Sequence, residues 1–458
     1  MYLLVIFIAA IILMILAMSK WKIHPFIAIM LTSLFLGLLA GIPLVDYTDG
    51  NTKIPGLVTV IGQGFSSIFT SIGIVIILGA LIGAILEETG SALKLADMII
   101  RLVGKHRPVL AMELMGWVVS IPVFCDSGFV VLNPIRRALV QRTGASSVSM
   151  TVALAAGLFL SHVFIPPTPG PLACASTLGL ADNLLMVMGF GIVCSIFPII
   201  TAYVFARHIG HKIQADDETE LGKAKQTYEE IMAKYNKLPN GWLAIAPILI
   251  PILLMALSSI INAIGLKGQI IDFVCFLSTP MMALTVGVCL AVLVLFQCGK
   301  YKQLNTLTGE TLKTVGPILF ITAAGGVLGK VISSSDMTMI ITTHADMLRG
   351  VGILFPFLLA ALFKTSMGSS TVAIITTAGI ISPMLPSLGL ATPVQATLTC
   401  MAIGAGSMTV SHANDSYFWV VTNFGAMNTE RGYHTHTLCT LIMGLSAIIE
   451  IFILSLIF

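Results

Sequence analysis

The sequence predicts an all-α polytopic membrane protein built from two inverted repeats, on three observations. Of 458 residues, 57% are hydrophobic and only 10% charged, against about 25% charged in a soluble domain. So few charges cannot cover a water-facing surface, so lipid must solvate most of the chain and helices must satisfy its backbone. Apolar runs near the length of about 20 residues that crosses a bilayer recur along the chain. Several landmarks also occur twice, in the same order.

The spans expected in the first half are 2–18, 23–41, 66–86, 147–180 and 183–207. Those in the second are 241–264, 271–297, 314–333, 393–427 and 437–458. Lys20 and Lys22 follow the first run rather than precede it, the wrong polarity for a cleaved signal peptide, so that span is expected to stay. No soluble domain is expected before or after the membrane part. Residues 208–240 read as a solvated linker between a first repeat (1–207) and a second (241–458). In and beside it Arg207, Lys212, Lys223, Lys225, Lys234 and Lys237 are balanced by acidic residues. The positive-inside rule puts this linker in the cytoplasm with Lys20/Lys22, Arg101/Lys105/Arg107, Arg136/Arg137/Arg142 and Lys300/Lys302, and the N-terminus outside.

Segment 109–142 leaves and regains the cytoplasmic side and is interrupted at Cys125-Asp126-Ser127-Gly128, so it reads as a re-entrant hairpin. Segment 350–386, interrupted from Lys364 to Ser370, should re-enter from the opposite side. Gly79-x-x-x-Gly83 recurs as Gly325-x-x-x-Gly329, Gly128 as Gly368, and Ser161-His162 as Ser411-His412, at nearly constant spacing. Five crossings per half would invert the second copy, an architecture of many secondary transporters.

Four breaks hold nearly all the polarity at membrane depth. In the first, Asp126 needs water, a cation or a proton, and Ser127 stands beside it. The second, Ser161 to Pro171, has four prolines within six residues and must unwind around Thr168 and Gly170. His162 lies just before it and can change charge near neutral pH. The third runs Lys364-Thr-Ser366-Met-Gly368-Ser369-Ser370-Thr371, whose hydroxyls and helix N-terminal amides suit a carboxylate, with Lys364 adding charge. The fourth, Ser411-His412-Ala-Asn414-Asp415-Ser-Tyr417, offers Asn414 to substrate hydroxyls and His412 or Asp415 to a proton. Each could instead be a structural turn or packing seam. Glu87, Glu88, His208, His211, His434 and His436 read as ordinary span-end or loop residues. The eight scattered cysteines form no C-x-x-C pair and read as packing residues.

These four segments resemble the gluconate permease family of bacterial proton symporters, within an ion-transporter superfamily of elevator-like proteins. The resemblance covers essentially the whole chain and is carried by Pro166-Pro-Thr-Pro-Gly-Pro171, Gly368-Ser-Ser-Thr-Val372 and Ser411-His-Ala-Asn-Asp415. It implies a homodimer in the bacterial inner membrane, with a scaffold and a moving domain, and substrate held between two hairpin tips and two broken helices. It also implies proton-driven uptake of gluconate or a related small hydroxy-carboxylate, with a D-serine or glycerate-type substrate as the alternative. The chain departs from the family pattern with Asp126 where Glu is usual, Thr168 where a second His is usual and Lys364 near a usual Arg. Lysine lacks the guanidinium's bidentate fork.

Other classes fit less well. No Gly-x-x-x-x-Gly-Lys-Ser/Thr loop points to ATP, and no cofactor is expected. Ser161-His162 and Ser411-His412 are poor nucleophile–base pairs, because neighbours on a helix point about 100° apart. A channel would not need opposed hairpins around charged tips. The net charge of +3, without a basic stripe, excludes a nucleic-acid partner; the expected partners are an organic anion, protons and lipid.

Overall fold

The computed structural model describes residues 2–49, 52–91, 94, 95, 98, 107–216, 239–264, 268–335, 352–413 and 415–458. Most of the expected linker, Arg101, Lys105 and Asn414 lie outside the described residues. The fold opens with α1 (Tyr2–Ser19) and α2 (Pro25–Leu39). Pro25 sits in the first turn of α2, where a missing N–H costs nothing. A short antiparallel hairpin, β1 (Tyr47–Asp49) and β2 (Thr52–Ile54), is an addition to the helical fold the sequence predicts. Next to it, the Gly56 N–H donates to Asp46 Oδ1 at 2.6 Å, and this bond holds the Asp46 carboxyl below its ordinary pKa.

Helices α3 (Leu57–Ile68) and α4 (Ile74–Glu88) join through a π-helical turn at Phe69–Gly73, so the expected span 66–86 belongs to a longer rod. The first helical hairpin follows as α5 (Pro108–Val119) and α6 (Cys125–Thr143). Its break falls at Ser120–Phe124, earlier than the expected Cys125–Gly128. Pro122 disfavours helix at Ile121, and Phe124 is extended, so Cys125–Gly128 become the first turn of α6. The proline-rich segment breaks as expected, between α7 (Ser147–Phe164) and α8 (Pro169–Thr177). Helices α9 (Leu184–Val193) and α10 (Ile196–Ile209) complete the first half.

The second half contains α11 (Gly241–Ile264), α12 (Gln269–Leu277), α13 (Pro280–Gln297) and α14 (Leu304–Ser333). The expected span 271–297 is split before Pro280, and 314–333 extends back to Leu304. The second hairpin is α15 (Leu354–Met367) and α16 (Ser370–Ile381). Its break is narrower than expected: Gly368, with φ 79°, reverses the chain, and Lys364 and Ser366 stay on the last turn of α15. A second broken helix, α17 (Pro393–Met408) and α18 (Ser416–Phe424), precedes a π-helical turn at Tyr433–Thr437 and α19 (Leu438–Ile457).

Among the described residues, six helical segments are long and apolar enough to cross a membrane. The most apolar stretch of Ser147–Thr177 is 100% buried, whereas that of Ala181–Ile209 is 39% buried. Helix α7 is therefore the hub, while α10 and α19 expose Ile200, Val204, Ile449 and Phe452, a surface that needs lipid. In each half the first hairpin arm packs along the broken helix, α5 on α7 and α15 on α17. Glycines permit this approach: a Cβ on Gly157 would lie 2.8 Å from Trp117 N, and one on Gly406 3.0 Å from Ala361 N.

Candidate functional site

Lys364, on the last turn of α15, is completely buried. Its Nζ donates to Gly368 O at 2.9 Å, Ser370 Oγ at 3.0 Å and Asp415 Oδ2 at 2.5 Å, which satisfies all three ammonium hydrogens. It also lies 5.2 Å from the Phe159 ring centroid on α7. Asp415 caps α18, where its Oδ1 accepts from the Tyr417 N–H at 3.1 Å. Ser411 Oγ donates to Asp415 Oδ2 at 2.5 Å. In this conformation, then, Lys364 is occupied by an internal carboxylate.

The remaining hydroxyls of that segment divide. Ser369 Oγ accepts from the Val372 N–H at 3.3 Å and caps α16, while Ser366 Oγ donates back to Leu362 O at 2.7 Å. Gly170, at the start of α8, faces α16: a Cβ there would lie 3.7 Å from Thr371 Cα. The first broken helix and the second hairpin thus abut. Thr168, between the prolines, is buried and donates to Ile165 O at 2.7 Å.

Asp126 reaches the same centre from the first hairpin, its Oδ1 accepting from Ser416 Oγ at 3.5 Å. Ser127 faces a different space, a cavity of about 290 Å³ lined also by Pro122, Glu87, Glu88, Glu310 and Thr311. Lys300 Nζ pairs with Glu88 Oε1 at 2.7 Å at its edge. His162 is buried near Phe124, ring centroids 6.0 Å apart, and among the described residues its Nδ1 has no hydrogen-bond partner. His412 Nε2 lies 3.1 Å from Thr365 O. The fold thus gathers Lys364, Gly368, Ser370, Asp415 and Asp126, flanks them with His162 and His412, and places Ser127 on the acidic cavity.

Three residues differ from their sequence reading or escaped it. His436, expected in a loop, is buried with Nε2 3.1 Å from Ser411 Oγ, and packs against Phe159 and Tyr417. Arg136, expected in a cytoplasmic cluster, is also buried. It donates to Ser147 Oγ at 2.6 Å, Asn133 Oδ1 at 2.8 Å and Phe424 O at 3.1 Å, tying the first hairpin to the end of α18. Glu113, on α5, is fully buried, and among the described residues neither carboxyl oxygen has a partner. For Glu113 a signal existed: it is the one acidic residue within the apolar run 108–123. None marked His436, which directly precedes a span.

Comparison with known proteins gives a consistent picture. The family model described as GntP family permease matches residues 1–457. An uncharacterized permease of Haemophilus influenzae is 32% identical over 89% of this chain and 83% of its own length. A gluconate permease of Zymomonas mobilis is 29% identical over 97% of this chain and 96% of its own length. Among solved structures, Neisseria gonorrhoeae MtrF, described as illuminating a class of antimetabolite efflux pumps, superposes with a TM-score of 0.63. That match has 15% identity and covers 95% of this chain and 96% of MtrF, a likeness of fold.

Proposed function

Because the chain belongs to the GntP permease family, we propose that it imports gluconate or a related small hydroxy-carboxylate by proton symport across the bacterial inner membrane. It is a multi-pass permease and not an enzyme. The substrate class is supported by its relatives, and the coupling by one observation: the buried pair of Lys364 and Asp415.

A buried ion pair is stable only while both charges are present, and losing one partner leaves the other uncompensated. Protonation of Asp415 therefore frees the Lys364 ammonium for a substrate carboxylate, and a bound carboxylate in turn favours the proton on Asp415. Proton and anion then bind together because each relieves the charge the other exposes, and linkage makes the coupling reciprocal. Gly368 O and Ser370 Oγ, already bonded to Nζ, hold the ammonium in place during the exchange. Substrate hydroxyls face Thr371, Gly170 and the 166–170 loop, with Asn414 completing the set. Asp126, His162 and His412 are the further proton-bearing groups around this centre.

The two hairpins and two broken helices form the moving domain of a homodimeric elevator made of two inverted repeats, joined by the cytoplasmic linker 208–240. The test is uptake of labelled gluconate, glycerate and D-serine into proteoliposomes under an imposed pH gradient. Inward acid-driven accumulation of a sugar acid is expected. Uptake indifferent to the pH gradient would overturn the coupling, and transport of D-serine alone would overturn the substrate class.

A further inference from the structure

We propose that His436 delivers the coupled proton to Asp415 through the hydroxyl of Ser411, making the start of the last membrane helix the proton path. The inference rests on the reading of Asp415 as a proton site. Nε2 of His436 is 3.1 Å from Ser411 Oγ, and that oxygen is 2.5 Å from Asp415 Oδ2. A serine hydroxyl has one hydrogen, and here it points to the carboxylate. Its oxygen is left to accept, so the hydrogen between His436 and Ser411 resides on Nε2.

The transfer balances. The imidazolium gives its Nε2 proton to Ser411 Oγ as the hydroxyl's own proton passes to Asp415 Oδ2. Ser411 is unchanged, His436 is left as the neutral Nδ1–H tautomer, and Asp415 becomes a neutral acid that releases Lys364. Three residues near the start of α19 hold the relay in line. Besides His436, Thr437 Oγ1 donates to Ser411 O at 2.6 Å, and Thr440 Oγ1 accepts from the Ser411 N–H at 3.0 Å. This places a serine at a helix break against a different helix with a fixed direction.

The surroundings favour a proton over other cargo. Among the described residues, the charged groups that act on His436 are Asp415 and Lys364. From α7 and α18 it meets the rings of Phe159, Tyr417 and Phe418. His436 sits in the π-helical turn Tyr433–Thr437, whose residues Tyr433 and His434 are exposed. Such turns recur at functional sites because they re-aim side chains within a helix. Here one turn carries a titratable group at the surface and another at the buried pair.

The test compares accumulation under a pH gradient with substrate exchange at equal pH in proteoliposomes. His436→Gln and Ser411→Ala are expected to lower accumulation relative to exchange by about tenfold or more, and Ser411→Thr to restore it. If both variants keep the wild-type ratio and pH profile while Asp415→Asn loses accumulation, the relay fails and the Asp415 reading stands. If Asp415→Asn itself accumulates substrate normally, the underlying reading fails. Equal defects in Ser411→Ala and Ser411→Thr would show a packing role and overturn the relay.

Discussion

Lys364 Nζ lies 2.5 Å from Asp415 Oδ2, with side-chain exposures of 0% and 5%. The two belong to different breaks, the second hairpin and the second broken helix, so the bond fixes one against the other. Lys364→Met or Asp415→Asn alone should lower stability by roughly 3–5 kcal/mol, because each leaves a buried group uncompensated. The double change Lys364→Met with Asp415→Leu should recover most of that loss and still not transport. Thermal unfolding in detergent reads the first effect; single variants with the wild-type midpoint would contradict it.

Glu113 presents the opposite case, a buried carboxyl with no partner for either oxygen among the described residues. An unsatisfied buried polar group costs about 1–3 kcal/mol. Glu113→Leu is therefore expected to raise the unfolding midpoint and Glu113→Gln to leave it nearly unchanged. A lower midpoint for Glu113→Leu would mean that the acid is held by an interaction the fold depends on.

The glycines under the hairpin arms should tolerate no side chain. At Gly406 a Cβ would fall 2.8 Å from Ala360 Cβ and 3.0 Å from Ala361 N, so Gly406→Val must push α15 off α17. A loss of about 1–3 kcal/mol or more is expected, with less monodisperse protein after extraction. Gly189→Ala, with no atom of a described residue within 4 Å, is the control that should behave as wild type.

The two ends of α14 border cavities of opposite charge. A cavity of about 360 Å³ is lined by Lys330 with Ser67, Ser176, Thr177, Ser333 and Ser382. The cavity beside Ser127, near the other end of the same helix, carries Glu87, Glu88 and Glu310 instead. A positive mouth concentrates an anionic substrate and a negative one repels it. Lys330→Gln should raise the KM for a carboxylate more than it lowers kcat, and added salt should shrink the difference. An unchanged KM at low ionic strength would remove Lys330 from the entry path.

The breaks were legible in the sequence because each is a local event. Four prolines between Pro166 and Pro171 cannot continue a helix, whatever surrounds them. Gly368 reverses the chain through a positive φ of 79° that L-residues avoid. The turn of the first hairpin falls ahead of Asp126 and Gly128 because Pro122 acts on the residue before it, an effect that the polar run itself does not mark. The burial of Arg136 was not legible, because nothing local distinguishes one arginine that turns inward to Phe424 O from its exposed neighbour Arg137.

By itself, then, the sequence determined that this is a helical membrane protein whose helices fail at certain points. Lipid offers no hydrogen bonds, so composition dictates helices, and proline, glycine and polar residues within apolar runs mark where those helices stop. Only the tertiary structure decided which polar groups meet. Lys364 finds Asp415 rather than open space, and His436 finds Ser411 rather than solvent. Residues far apart in the chain become partners through the packing of hairpins and broken helices, and a buried charge adopts whichever partner that packing brings within reach.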